Sequence, residues 1–331
     1  MNVVAQGYQH RHAAHCESGV AANMFSYYGG AMSEAMAFGV SSGLSFAYLP
    51  FVRLIGFPLI AYRMPPRFIL KGVARALRAR MHFETFRDPQ AGMQRLDALL
   101  GEGKVVGLQT SVFWLPYFPQ DMRFHFNAHN LLVFGKEGDD YLISDPVGEE
   151  PQRCASADLQ RARFAKGALA PKGMLYYPNV GNSLEISPAT VRQAILKTTR
   201  VMLAPLPLIG VRGIRTLARK VARLAPQDPY SINYIGHIVR MQEEIGTGGA
   251  GFRFLYVAFL QEACALPGLA VLAGFPERLL AIGDEWRAFA LATVRMVKGR
   301  DAVEPPKLAG LLRELADKEE AFFRDLRKAL A

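Results

Sequence analysis

One cysteine, one histidine and one aspartate are placed along this chain so that a nucleophile, a base and an orienting acid could meet. Cys16 stands in the run His15-Cys16-Glu17-Ser18-Gly19, just ahead of a helical pattern in which Val20, Met24 and Tyr27 share a face and Gly29-Gly30 supplies a stop. The thiol is therefore expected at or near the first turn of a helix. There the partial positive charge of terminal backbone N–H groups favours a thiolate. The same groups could hold the oxyanion of a tetrahedral intermediate, which gives Cys16 a second role as an oxyanion donor through its own backbone.

A base and an orienter are offered much further along. Residues 127–135 read as a strand, Lys136-Glu137-Gly138-Asp139 as a turn and 140–145 as the returning strand. Folding this hairpin about Glu137, or about the Glu137–Gly138 bond, sets His129 opposite Asp145 or one place away. Opposed residues have Cβ atoms roughly 5 Å apart on the same face. A carboxylate there holds an imidazole in one tautomer and stabilises its protonated form. His125 is the alternative base, but it precedes the strand by four residues and lies further from Asp145. The chain order Cys, His, Asp resembles that of papain-like thiol enzymes.

The elements that must carry these residues fall into two kinds. At 331 residues the chain favours two domains, and with half its residues apolar and 21% charged it has an ordinary globular composition. Residues 1–180 have a mixed α/β pattern: helices after Cys16 and over 32–38, a Gly/Ser loop over 39–43, and core plus loop over 43–62. A basic helix over 67–80, a strand over 81–86, a helix over 91–100 and a strand over 105–110 follow. The aromatic loop Phe113-Trp114-Leu115-Pro116-Tyr117-Phe118 leads into the hairpin, and 174–177 reads as a last strand. Trp114 and Tyr117 are candidates for substrate contact, against the plainer reading of core and rim. Residues 178–183 read as a linker.

From 185 to 331 the composition turns to Ala, Leu and Arg, and an all-α domain is expected. Its helices are read over 187–204, 211–224, 231–245, 252–265, 284–297 and 306–330. Ser187-Pro188 is a good start signal. Val211, Ile214, Leu217, Val221 and Leu224 form a stripe among Arg212, Arg215, Arg219, Lys220 and Arg223. That stripe reads as a solvated basic face on a packed helix, or else as a docking face for an acidic protein.

Composition also narrows the partners. Three cysteines, odd in number and widely spaced, argue against a disulfide framework and, with no secretory pattern at the amino terminus, point to a cytoplasmic protein. No apolar run reaches the ~18 residues of a transmembrane span. A net charge of +10 raises encounter rates with acidic partners. Without a zinc-finger or RNP-like motif, nucleic acid ranks below an acidic carrier protein. The histidines at 10, 12, 15, 125 and 129 lack the separated pairs that zinc prefers, so no metal is expected. The run Gly246 to Gly251 matches G-x-G-x-x-G but follows a helix where a dinucleotide site needs a strand, so it reads as a helix–helix turn. Glu243 and Glu244, just before it, are candidates for holding a cationic acceptor amine.

The signature His15-Cys16-Glu17-Ser18-Gly19, with Ser33-Glu34, Phe38-Gly39, Gly43-Leu44-Ser45-Phe46-Ala47, Leu115-Pro116-Tyr117, the His129 strand and Asp145, resembles the amino-terminal domain of the butirosin-biosynthesis acyltransferase (BtrH) family. Glu243-Glu244-Ile245-Gly246-Thr247-Gly248-Gly249 and Phe252-Arg253 resemble the helical domain fused to it. The resemblance spans nearly the whole chain. It implies an α+β, papain-like (C39-peptidase-like) domain followed by an all-α domain, with Cys16 as nucleophile, His129 as base and Asp145 as orienter. It implies acyl transfer from an acyl carrier protein thioester to an amine or hydroxyl acceptor in a secondary-metabolite or lipid-type pathway. The only cofactor is the phosphopantetheine carried by that protein substrate, and a homodimer is compatible with the family. Peptidases of this fold place a glutamine six residues before the cysteine as an oxyanion donor; here that position is His10, with Gln9 beside it. A thioesterase or peptidase of the same fold, and a non-catalytic carrier-binding module, are the competing readings.

Overall fold

The protein is described here from a computed structural model covering residues 2–54, 56–181, 184–244 and 247–331. The last two residues of the expected linker, the end of the helix read to 245 and the first glycine of the Gly-rich run lie outside that set. In chain order the elements are β1 (Asn2–Val4), α1 (Cys16–Tyr27), α2 (Glu34–Val40), β2 (Leu44–Leu54), β3 (Phe57–Arg63), α3 (Phe68–Ala76), β4 (Arg80–Glu84), α4 (Pro89–Gly101) and β5 (Val106–Thr110). A meander of β6 (His129–Glu137), β7 (Asp140–Ser144) and β8 (Gln152–Ala155) leads to α5 (Ser156–Arg163) and β9 (Leu175–Asn179). Helices α6 (Pro188–Met202), α7 (Gly210–Val221), α8 (Pro229–Glu243), α9 (Arg253–Cys264), α10 (Phe275–Val297) and α11 (Pro305–Ala329) complete it.

Contacts divide the chain into two compact units, Met1–Ala37 with Pro66–Ile186, and Phe38–Pro65 with Ser187–Ala331. The first is built on an antiparallel sheet ordered β4-β9-β5-β6-β7-β8, with β1 added beside the far end of β6. One face of the sheet is closed by α4 and α5: Met93, Leu96, Leu99 and Leu100 pack with Leu159, Ala162, Leu131, Val133, Ile143 and Leu175. Helix α1 packs against β6. Local signals explain several boundaries. Asp88 caps α4 by accepting from the N–H groups of Gln90 and Ala91, with Pro89 at the first position. Helix α3 is capped from a distance, because the buried Glu17 carboxylate accepts from Ile69 N–H at 3.0 Å and Leu70 N–H at 3.4 Å.

In the second unit the described chain from Ser187 onward is helical, and the antiparallel hairpin β2–β3 joins these helices. Residues 43–62, read in the sequence as core plus loop within the first domain, are therefore a β-ribbon of the second unit. The alternation of β3 is real, with Pro58, Ile60 and Tyr62 buried, but Phe57, Leu59 and Ala61 on its other face are apolar too, so no period of two is visible. Register shifts accompany Pro50 in β2. The core of this unit holds Trp286, against which Phe46 stacks and Tyr62 packs edge-on. Beside it lies a fully buried ion pair: Arg253 Nε donates to Glu319 Oε1 at 2.8 Å, and Trp286 Nε1 donates to the same oxygen at 2.7 Å.

Helix α10 starts at 275 rather than the expected 284, because its cap is Gly274 in a left-handed conformation with no side-chain signal. The apolar stripe of α7 is buried, and Arg215 from its basic flank pairs with Asp317 and Glu320 of α11. Among the described residues no helix is long and apolar enough to cross a membrane.

Candidate active site

Cys16 is the first residue of α1, and the turn that presents it is braced on all sides. His15 is the N-cap: its Nδ1 accepts from Ser18 N–H at 3.3 Å and lies 2.8 Å from Ser18 Oγ. The Glu34 carboxylate accepts from the backbone N–H groups of Ala14 and His15, each at 2.8 Å, and from Ser18 Oγ at 2.9 Å. Burial raises the Glu34 pKa, and those hydrogen bonds oppose the rise. The signature around Cys16 thus divides its labour: His15, Ser18 and Glu34 shape the turn, while Glu17 anchors α3. Gly19 completes it. A Cβ there would stand 2.6 Å from both Ala13 Cβ and Pro146 Cβ, so only glycine lets α1 approach the loop after Asp145. Ala13 N–H donates to Pro146 O at 2.6 Å across that contact.

His129 is the first residue of β6 and is 4% exposed. Its Nε2 lies 2.7 Å from Asp145 Oδ2, and Cys16 also interacts with the ring. Burial alone would pull the imidazole pKa down. The Asp145 charge and hydrogen bond, together with Cys16, outweigh it and raise the value to about 10, so the protonated form is favoured. The expected alignment needs one correction. Leu132 pairs with Ser144, and continuing that register sets Asp145 opposite Leu131, two places from His129. The hairpin folds about the Gly138–Asp139 bond, Glu137 pairing with Asp140, later than expected; the register shift between Val133 and Gly135 then takes back one place, which leaves the pair a same-face diagonal rather than a direct opposition.

Asp145 is fully buried and well supplied with donors. Tyr117 OH donates to Oδ2 at 2.8 Å, and Val147 N–H donates to Oδ1 at 3.3 Å. Burial and the adjacent Asp145 charge raise the Tyr117 pKa well above 10, so this phenol stays a donor. Tyr117, a candidate for substrate contact against the plainer reading of core and rim, therefore supports the acid. Phe118 meets the His129 ring edge-on, with centroids 5.6 Å apart. Trp114 is 37% exposed, with the Arg161 guanidinium over its ring. His125 stacks on Phe113.

The side-chain oxyanion candidates were His10 and Gln9. His10 Nδ1 is 2.7 Å from Ser144 Oγ and its Nε2 is 3.0 Å from Gly148 O, which fixes it on β7 and the loop beyond; Gln9 is exposed. Glu243 and Glu244 belong to the second unit. Glu243 accepts from Ala250 N–H and Gln242 Nε2, and Glu244 pairs with Arg240. The turn after them runs left-handed from Gly248 to Phe252, every φ positive. Sequence reasoning missed Asn130, whose Nδ2 points at Cys16 Sγ from 3.9 Å. A buried amide next to the base was its only signal. Among the described residues no group of three or more His, Cys, Asp or Glu side chains could hold a metal ion.

A helix-terminal thiol, an imidazole and a buried carboxylate thus lie in one unit, residue types that could form and discharge a thioester with the carboxylate orienting the imidazole. Comparison with known families matches residues 157–326 to a domain of unknown function, DUF4872, and residues 15–146 to butirosin biosynthesis protein H, N-terminal. No curated protein matches the chain. Among solved structures, a protein described as a C39-like peptidase from Bacillus anthracis shares 12% identity at a TM-score of 0.40, covering 55% of this chain and 99% of that one.

Proposed function

Because the chain belongs to the DUF4872 family and carries an amino-terminal region of the butirosin-biosynthesis-protein-H type, we propose that it is a cysteine acyltransferase fed by an acyl carrier protein thioester. The observation that carries this reading is the buried imidazole of His129, 2.7 Å from Asp145 and interacting with Cys16. In the first half-reaction the Cys16 thiolate attacks the thioester carbon on the carrier's phosphopantetheine arm. The C–S bond to the arm breaks, and the departing thiolate takes its proton from the His129 imidazolium. With Cys16 acylated, its negative charge is gone, and one of the influences holding His129 protonated goes with it. The neutral ring can then take a proton from an acceptor amine as that amine attacks the acyl carbon. The net charge of +10 suits an acidic carrier protein.

Thioester exchange is nearly neutral in energy, so orientation and exclusion of water are what the protein contributes. The test is to incubate the protein with an acyl carrier thioester and weigh it intact. An acyl-sized mass increase on wild type that is absent from Cys16→Ala supports the covalent step. No increase, or an equal one on both, rejects it. Release of free acid instead of an amide when an amine is supplied would assign hydrolysis.

A further inference from the structure

We infer that Asn130 is the side-chain donor to the oxyanion at Cys16 and that Tyr176 holds it in position; the inference rests on the reading of Cys16 as an acyl-accepting nucleophile. Asn130 is buried, at 4% exposure. Its Nδ2 gives one N–H to Ala128 O at 3.1 Å and directs the other at Cys16 Sγ, 3.9 Å away. Its Oδ1 accepts from Tyr176 OH at 2.9 Å. A backbone carbonyl only accepts, so turning the amide over would set two oxygens against each other at Ala128. The nitrogen side therefore faces the sulfur.

Three features make this a built arrangement. Strand alternation sends Asn130 to the opposite face of β6 from His129. Both nevertheless reach Cys16, because His129 is the first residue of the strand. Tyr176 gets to Asn130 by laying its ring across the intervening strand β5: a Cβ at Gly107 would stand 2.0 Å from that ring, so glycine opens the passage. Burial pushes the Tyr176 phenol well above 10, so its hydroxyl stays a donor and keeps Oδ1 occupied. His10, the position where a side-chain donor was expected, is tied to Ser144 and Gly148.

At 3.9 Å the amide makes only a weak contact with the sulfur itself. An oxyanion donor must instead lie about 2.7–3.1 Å from the oxygen of the tetrahedral adduct. That oxygen is only two bonds from the sulfur, so an adduct that turns it toward Asn130 brings it within reach of Nδ2. In the step, the thiolate pair forms the C–S bond and the carbonyl π pair moves onto oxygen, where the Asn130 N–H meets it. Collapse returns that pair to the C=O bond as the leaving group departs with its electrons and takes the His129 proton.

The experiment compares two reactions at Cys16. Acylation by p-nitrophenyl acetate passes through an oxyanion, whereas alkylation by iodoacetamide does not. Asn130→Ala is expected to slow acylation by about 10²–10³-fold while alkylation stays within about threefold of wild type. Tyr176→Phe, which keeps the ring and frees the amide, is expected to slow acylation by about tenfold. Equal acylation of Asn130→Ala and wild type overturns the inference. So does a parallel loss of both reactions, which would mean that Asn130 serves the thiol or the fold, and so does wild-type acylation no faster than that of free cysteine. A carrier-thioester arm separates this inference from the wider reading: Asn130-dependent acylation by the ester with no adduct from the carrier keeps the donor assignment and removes the carrier protein.

Discussion

Replacing Asp145 by asparagine tests how the thiolate is maintained. The substitution is nearly isosteric, and the amide oxygen can still accept from Tyr117, so packing is expected to survive. What disappears is the charge 2.7 Å from His129 Nε2, the leading influence that raises the imidazole pKa from 6.5 to about 10. Burial, which opposes that rise, is left less opposed, and the ring is expected to become neutral at pH 7. The gap between 6.5 and about 10 corresponds to on the order of 5 kcal/mol, from about 1.4 kcal/mol per pKa unit. Loss of the acid is therefore expected to lower the thiolate population, by about tenfold for every 1.4 kcal/mol of that support withdrawn from it. The assay is the rate of Cys16 alkylation by iodoacetamide from pH 5 to 10, with the modified peptide identified by mass. The other two thiols are quiet controls, because burial pushes Cys154 up to about 12 and also raises Cys264. Wild type should react across the neutral range, and Asp145→Asn should react only as pH rises. Superimposed profiles would refute the account of a buried acid maintaining an ion pair.

Three further outcomes follow from the same geometry. The raised His129 pKa contributes stability that is fully present below about 6.5 and is lost as pH climbs through about 10, so urea midpoints should fall over that window in wild type and much less in His129→Gln. Gly19→Ala drives a methyl to 2.6 Å from Ala13 and Pro146; we expect about 1–3 kcal/mol of destabilisation by denaturant titration, with slower Cys16 alkylation because Pro146 adjoins Asp145. Glu319→Ala strands the buried Arg253 guanidinium and the Trp286 N–H, which should cost about 3–5 kcal/mol; a loss under 1 kcal/mol would show that water or a new partner satisfies them.

Much of the framework was legible because it is encoded locally. Ser187-Pro188 announces a helix start through a side-chain oxygen that meets an N–H group three residues on; the same kind of signal at Asp88-Pro89 and Asp228-Pro229 was passed over, and those helices begin at 89 and 229 rather than 91 and 231. Cys16 declared its helix-terminal place through the apolar face of Val20, Met24 and Tyr27 that follows it, and Lys136-Glu137-Gly138-Asp139 declared the hairpin. Where the signal was not local, the reading slipped. Residues 43–62 hid a β-ribbon because both faces of β3 are apolar, and α10 began early because a left-handed glycine caps it.

Sequence alone determined that a helix-terminal thiol, a strand-borne imidazole and a carboxylate at the end of the next strand exist, since each depends on spacing and on the chemistry of a few neighbours. The tertiary structure decided the rest. A ladder shift set His129 diagonal to Asp145, and Tyr117 turned out to serve the acid. Glu17 was sent across to cap α3, and Tyr176 was passed over Gly107 to aim Asn130 at the sulfur. These pairings join residues 16 to 114 positions apart, and their energy comes from burial and shared partners that no short stretch of sequence can express.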